Sequence, residues 1–395
     1  MNILIVGSGL NTEAPGWAEY FASSDKIDRV YMYCTTPYQS NCMNPKVNHL
    51  NILQLNNITY DYYLCLDPKA LSQIKFKLCP NAIVIGCDNS IAKLELDKSY
   101  FKTVCNEKGV LSPKRLFEGN ANQCLENIQI DFPIIIKPST EFMGVKTNIY
   151  PDLASAINFL NKMNARSSND IFIIEEYIDN AIHVEVCFVA DGKDLYSLGT
   201  SAEYKNWLGT GANKGGWVNY SISPSNLVTK ELEYDLLLRM KVIFGESIPK
   251  GIFCVQGLAT KDRLYLMELN ARPGGSEIVT VWNKTDPFEF LTHITNGTFE
   301  KCELKLLDHI GKYYGLYTII NKSRQAVLIN LPKDNDNIVL APYNVFKLSG
   351  NYFSCNNDFP IMLGIIGDSE KEVRALAKEY IPEIFNKQYF DYDID

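Results

Sequence analysis

Apolar positions recur along this chain with two periods, and the places where one period gives way to the other outline its elements. The run Ile3-Leu4-Ile5-Val6 is wholly apolar, stops at a glycine turn, and leads into an amphipathic helical stretch, "NTEAPGWAEYFA". Further strands are predicted over 29–33, 62–66 and 82–85. Strands separated by helices of this length predict a parallel, doubly wound sheet ending near residue 95. A helix over 98–108 closes at Gly109, and "DFPIIIKPST" predicts a buried strand ending in Lys137-Pro138. A helix over 152–161 leads to the strand "DIFIIEEYI". The pattern then turns to period two. "HVEVCFVADGKDLYSLGTSAEYK" predicts an antiparallel hairpin turning at Asp191-Gly192, and "FCVQGLATKDRLYLMELN" a second with Lys261-Asp262 at its tip. From about residue 306 strands return, and a helix over 369–380 follows them.

The second hairpin ends unusually, in "YLMELNARPGG". Side chains alternate along a strand, so Glu268, Asn270 and Arg272 share one face, and Pro273, Gly274 and Gly275 then break the pairing. Two readings are open on spacing alone: an edge strand turning its polar face to water, or a site with two oxygen ligands and a cation. Glu268 and Asn270 are hard donors that suit Mg²⁺ bridging nucleotide phosphates, and Arg272 suits charge that develops on a transferred group.

Composition narrows the function classes. At 395 residues, two to four subdomains are expected, and 46% apolar with 21% charged residues is the balance of a soluble globular protein. A net charge of −8 argues against nucleic acid as the main partner, because phosphate backbones demand a basic surface. The N-terminal apolar run is too short for a signal peptide or a membrane span, so no membrane partner and a cytoplasmic location are expected. The eleven cysteines form no CxxC pair and sit mostly inside apolar runs, which fits free buried thiols.

Several polar residues interrupt or end apolar runs. Lys137 terminates "FPIIIK", where an ammonium needs an anion; Lys102 lies in a predicted helix, where it could equally reach solvent. "IIEEYI" is either an ordinary strand end or a purine slot, with a carboxylate for the exocyclic amine and backbone for a ring nitrogen. The GxG at Gly7–Gly9 lacks a third glycine, Thr12 standing there, and no carboxylate closes the second strand, so NAD or FAD is not expected. That turn could still hold an anion on a helix N-terminus.

Lysine, lysine, hinge carboxylate and E-x-N-x-R, in that order, resemble the ATP-grasp superfamily. Within it the chain is similar to the glycinamide ribonucleotide synthetase (phosphoribosylamine–glycine ligase) family over nearly its whole length. "TSAEYKNWLGTGANKGGWVNYS" resembles that family's T-S-x-[DE]-x-K, T-G-x-N-x-G-G and Y-S, and "MELNARPGGSE" its E-F-N-x-R-F-G-D-P-E. The resemblance implies a multidomain α/β and α+β architecture. An N-terminal α/β domain would span 1–95 and an ATP-grasp domain 96–305, with a lid over about 110–178. A small β-rich C-terminal domain would span 306–395. It implies ATP and Mg²⁺, or Mn²⁺, as cofactors. Lys102 and Lys137 would contact phosphates; Glu175, Glu176, Tyr177 and Ile178 would hold adenine. "DNAIHVEV" is closer to biotin carboxylase and would put His183 near the ribose, with Glu185 a second candidate and a surface or hairpin position for His183 equally open. Lys205 would face the reacting substrates, as would Gly9 and Asn11, the loop of Gly211, Asn213, Gly215 and Gly216, and Gly275 with Glu277. Glu268 and Asn270 would bind the metal, and Arg272 would stabilise the acyl phosphate.

Three departures from the family bear on the substrate. "GLNTEA" places neutral Leu10 and Asn11 where the synthetase has G-R-E-H-A, "PSTEFMGVK" keeps one glycine in the phosphate loop, and Gly275-Ser276 replaces an aspartate-containing turn. The expectation is therefore a carboxylate–amine ligase acting on a small acid and amine other than those of the purine enzyme. The purine enzyme itself and a non-catalytic nucleotide-binding protein are the alternatives. A monomer or homodimer is expected.

Overall fold

A computed structural model describes the chain outside residues 8–13, 35–43, 68–80, 87–88, 141–146, 168, 206–217, 224–228, 274–284, 303–311, 324, 326, 332–336, 341–344, 349–350, 355–359, 393 and 395. Its first sheet holds β1 (Asn2–Gly7), β2 (Arg29–Cys34), β3 (Val47–His49), β4 (Tyr62–Cys65) and β5 (Ile83–Val84). All neighbours are parallel and the order is β3-β2-β1-β4-β5, as the alternation of strands and helices predicts. Ile3, Leu4, Ile5 and Val6 are fully buried, because the central strand of a parallel sheet is covered on both faces. Helix α1 (Ala14–Ala22) lays Trp17 and Phe21 on one of those faces.

Two helices then meet at a tight junction, α2 (Asn89–Leu96) and α3 (Lys98–Glu107). Asp97 between them caps α3 by accepting the N–H of Tyr100, and Gly109, with φ +66°, ends it. A separate antiparallel sheet follows: β6 (Arg115–Asn120), β7 (Ile134–Pro138), β8 (Asn148–Tyr150) and β9 (Ile171–Glu176), in the order β6-β9-β7-β8. Helices α4 (Ala121–Asn127) and α5 (Leu153–Arg166) cover one face, and Asp152 caps α5 through the N–H of Ser155.

The largest sheet begins with the two predicted hairpins. β10 (Ile182–Asp191) and β11 (Leu195–Lys205) turn at Asp191-Gly192, where Gly192 has φ +87°. β12 (Val218–Ser223) pairs with β11, and helix α6 (Lys230–Phe244) leads to the hairpin β13 (Lys250–Ala259) and β14 (Leu264–Asn270). Helix α7 (Pro287–Asn296) follows. Then come β15 (Tyr313–Asn321), β16 (Leu328–Ile329), β17 (Ile338–Leu340), β18 (Val345–Leu348), β19 (Asn351–Ser354), β20 (Pro360–Gly367), helix α8 (Glu370–Ile384) and β21 (Phe390–Asp391).

The strands beyond residue 306 do not stand apart from those before it. β15 pairs with β12, Tyr220 opposite Tyr317, giving the order β14-β13-β10-β11-β12-β15-β20-β17 with β21 also on β15. The outer edge of β12 would otherwise be left unpaired. β16, β18 and β19 form a small sheet of their own.

Among the described residues seven cysteines are free and five of them buried, and burial pushes the Cys65 thiol up to about 12. No helix among the described residues is long and apolar enough to cross a membrane.

Candidate active site

Of the polar residues singled out from sequence, Lys102, Lys137, Glu175 and Glu268 lie where α3 meets the four-stranded sheet and the β13–β14 hairpin. Lys137 and Glu175 come from adjacent strands. β7 runs antiparallel to β9 with Ile135 opposite Glu175 and Lys137 opposite Ile173, so Lys137 and Glu175 are diagonal neighbours on one face. Lys137 Nζ lies 2.8 Å from Glu175 Oε2, and Lys102 Nζ, reaching in from α3, lies 3.1 Å from Oε1. Lys102 also donates to the Pro113 carbonyl at 3.3 Å.

All three side chains are buried, at 2–6% exposure, so neither lysine runs to solvent. Burial pulls the Lys102 ammonium down to about 8, opposed by Glu175 and assisted by Lys137. Burial alone would raise Glu175, but the two ammoniums outweigh it and hold its carboxyl below the usual range. The sequence offered Glu175 to an adenine amine; in this arrangement both of its oxygens face lysines. Glu176 on the opposite face accepts the N–H of Lys114 at 2.7 Å, and Tyr177 and Ile178 follow it, half-buried.

Register builds a polar face on the large sheet. Glu203 lies opposite His183, Ser201 opposite Glu185, Glu185 opposite Gln256, Gln256 opposite Glu268, and Cys254 opposite Asn270. Directly opposed residues of antiparallel strands share a face, so these side chains line one surface. The other face, with Val184, Val186 and Val255, belongs to the apolar core. His183 Nδ1 lies against the Glu203 carboxylate, and Gln256 donates Nε2 to Glu185 at 2.8 Å. The His183 side chain is buried, which removes the surface alternative. Ser201 Oγ is buried on this face without a hydrogen-bond partner among the described residues, as suits a surface that receives a polar ligand.

Glu268, Asn270 and Arg272 end this surface, and α2 and α3 hold them. Lys98 Nζ contacts Glu268 Oε2 at 3.1 Å. Glu95 accepts Arg272 Nε at 3.0 Å and the Ala271 N–H at 2.7 Å. Burial pushes the Glu95 carboxyl up, with Arg272 only partly offsetting it. Lys98 and Lys102 stand four residues apart on one helix, so a single helix face runs from Glu268 to Glu175.

Glu95 and Lys98 were not anticipated from sequence. The signal available was weak: one acid between Leu94 and Leu96, in a helix whose other polar residues read as a solvent face. Lys205 closes β11 opposite Val218, but its side chain lies outside the described set. Gly9, Asn11, Gly211, Asn213, Gly215, Gly216, Gly275 and Glu277 lie outside the described residues. A cavity of about 540 Å³ lined by Leu328, Pro382, Tyr389 and Tyr392 sits beside α8, and none of the candidate residues lines it.

The stretch of chain that carries these residues matches a known family. Residues 97–281 match the family described as the carbamoyl-phosphate synthase L chain, ATP-binding domain, a span that includes Lys102, Lys137, Glu175, Glu268, Asn270 and Arg272. The chain carries a domain of the ATP-grasp superfamily. It is 24% identical over 365 residues to the phosphoribosylamine–glycine ligase of Ralstonia nicotianae, covering 86% of this chain and 85% of that one. It is 21% identical over 312 residues to the carbamoyl phosphate synthase large chain of Campylobacter jejuni, covering 76% of this chain but only 26% of that protein. The chain thus spans about a quarter of the one relative and most of the other. The crystal structure of phosphoribosylamine–glycine ligase from Thermotoga maritima superposes with a TM-score of 0.71 at 17% identity, over 100% of this chain and 98% of that one. The fold of that enzyme is therefore shared along the whole chain, beyond the matched domain.

Proposed function

We propose that this ATP-grasp protein is a carboxylate–amine ligase. A substrate carboxylate takes the γ-phosphoryl group of ATP, releasing ADP; an amine then attacks the acyl phosphate, giving an amide and phosphate. The observation that carries this reading is the pair of buried ammoniums, Lys102 and Lys137, on one helix-lined seam with Glu268, Asn270 and Arg272. Buried cations meet the phosphates, and the strand end offers oxygen donors and a guanidinium to the reacting centre.

Glu268 and Asn270 share the face, as oxygen ligands to Mg²⁺ or Mn²⁺ must, and the cation would supply charge neutralisation across the phosphates. Lys98 already contacts Glu268, so an ammonium and a metal ion would compete for that carboxylate. Lys102 and Lys137 bind the triphosphate, His183 and Glu185 lie toward the ribose, and Arg272 holds the acyl phosphate oxygens. The chain supplies position and charge, and no cysteine acts as a nucleophile.

The substrates proposed are a small acid and amine other than glycine and phosphoribosylamine, because Leu10, Asn11 and Gly275 stand where the synthetase pattern has charged residues. The second reading, phosphoribosylamine–glycine ligase itself, is favoured by the match covering 85% of that enzyme from Ralstonia. A screen for ADP release against panels of amino acids and amines separates the two. Turnover with glycine and phosphoribosylamine sinks the divergent reading, and absence of ATP binding in calorimetry removes both.

A further inference from the structure

We propose that Glu95 is a positioning residue for the ligation step, setting the Arg272 guanidinium against the strand end; the inference rests on the ligase reading above. β14 leaves the ladder at its last pair, Cys254 opposite Asn270. Beyond it the Ala271 N–H pairs with no strand among the described residues, and Pro273 cannot extend the ladder. Glu95 Oε2 takes that N–H at 2.7 Å, doing the work of a missing strand.

Its other oxygen takes Arg272 Nε at 3.0 Å. One carboxylate therefore fixes both the backbone where Arg272 begins and the plane in which its guanidinium lies. A structural latch needs only the backbone contact. The second contact holds the guanidinium by its Nε and so fixes the plane in which its other N–H donors lie.

The placement is costly, which argues that it has a task. Glu95 is 4% exposed, and burial pushes its carboxyl up even with Arg272 beside it. Three residues on, Lys98 grips Glu268, the other end of the same polar row. The short segment 95–98 thus clamps the E-x-N-x-R strand at two points of opposite charge. Among the described residues Glu95 meets neither Lys102 nor Lys137, so ATP binding and the orientation of Arg272 are separable.

Glu95→Gln tests this. Glutamine keeps the volume and one acceptor for the Ala271 N–H, but its amide cannot also accept from Nε. The expected result is a 10- to 100-fold fall in kcat, of the order seen when an orienting or oxyanion-stabilising group is lost, with KM for ATP within about twofold. In an Arg272→Ala background the same change should alter kcat by less than about twofold, because the residue it positions is gone. The Arg272 Nε–H resonance, assigned by its loss in Arg272→Lys, gives a readout without turnover. It should exchange slowly with solvent in the wild type and rapidly in Glu95→Gln.

An undiminished effect of Glu95→Gln in the Arg272→Ala background overturns the proposal, as does a rise in KM for ATP matching the loss of kcat. If Glu95→Gln fails to fold, rapid exchange of the wild-type Nε–H overturns it instead. Wild-type protein that releases no ADP with any acid and amine sinks the ligase reading. A Glu95→Gln enzyme as active as wild type sinks only the inference about Glu95.

Discussion

Lys102 holds two properties that pull in opposite directions with pH. Its ammonium titrates near 8 in the folded chain, below the ordinary lysine value of about 10.4 that the unfolded chain retains. Between those values the unfolded state binds more protons, so stability should rise with pH across that window as the buried charge is relieved. ATP capture should do the reverse, because a neutral amine no longer attracts phosphate. The expected outcome is an alkaline limb in kcat/KM for ATP with an apparent pKa of about 8, while chemical denaturation shows a more stable protein over the same range. A flat kcat/KM profile through that range would remove Lys102 from the phosphate site. The lysine itself was legible in the sequence; its anion was not. Glu175 reads as the end of an apolar strand, and only the antiparallel register of β7 on β9 puts it diagonal to Lys137.

The elements themselves were largely written in the pattern, because turn and cap residues announce them. Asp97, Asp152 and Ser369 cap helices where the sequence predicted starts or flanks, and Gly192 turns the hairpin expected there. What the pattern omits is how elements meet. Nothing in "IPKGIFCVQG" tells that Gly251 lies against the first sheet. There Ile252 donates its N–H to Ile85 at 2.9 Å, and Gly86 bridges Ile252 in parallel. Gly251 has φ +134°, and a Cβ on it would fall 2.4 Å from the Ile85 carbonyl oxygen and 2.5 Å from that of Gly86. Alanine there meets both a disfavoured backbone and a backbone clash, so Gly251→Ala should lose at least about 2 kcal/mol. Urea unfolding with an unchanged m-value checks this, and a variant as stable as wild type would mean that the contact between β5 and β13 can relax. Glu95 belongs to the same class of hidden feature, since its partners lie 176 and 177 residues away in sequence.

Across the whole molecule the cores divide unevenly. One apolar cluster joins residues of β1, α3, β10 and β13, and another joins α1, β10 and α7, so the first and largest sheets share their interiors. The four-stranded sheet keeps a core of its own, drawn only from residues between 116 and 174, with Leu160, Phe172 and Ile136 fully buried in it. Its ties to α3 include polar ones: Ser99 donates to Glu118 at 2.6 Å, Arg115 Nη1 donates to Ser99 Oγ at 2.8 Å, and Lys102 meets Glu175. We infer that this sheet is the lid expected over about 110–178, able to open along a charged seam without exposing the larger cores. Leu160→Ala should then cost about 2–5 kcal/mol, the usual range for a buried leucine, but charge it to the lid alone. Hydrogen exchange should accelerate in β7, β9 and α5 while amides of β1, β10 and β13 keep their wild-type protection. If the proposed site is right and adenine nucleotide binds along the seam that opening breaks, it should slow the lid amides again. Uniform acceleration through all the sheets would show that the lid unfolds only with the rest, and the seam would then be a fixed joint.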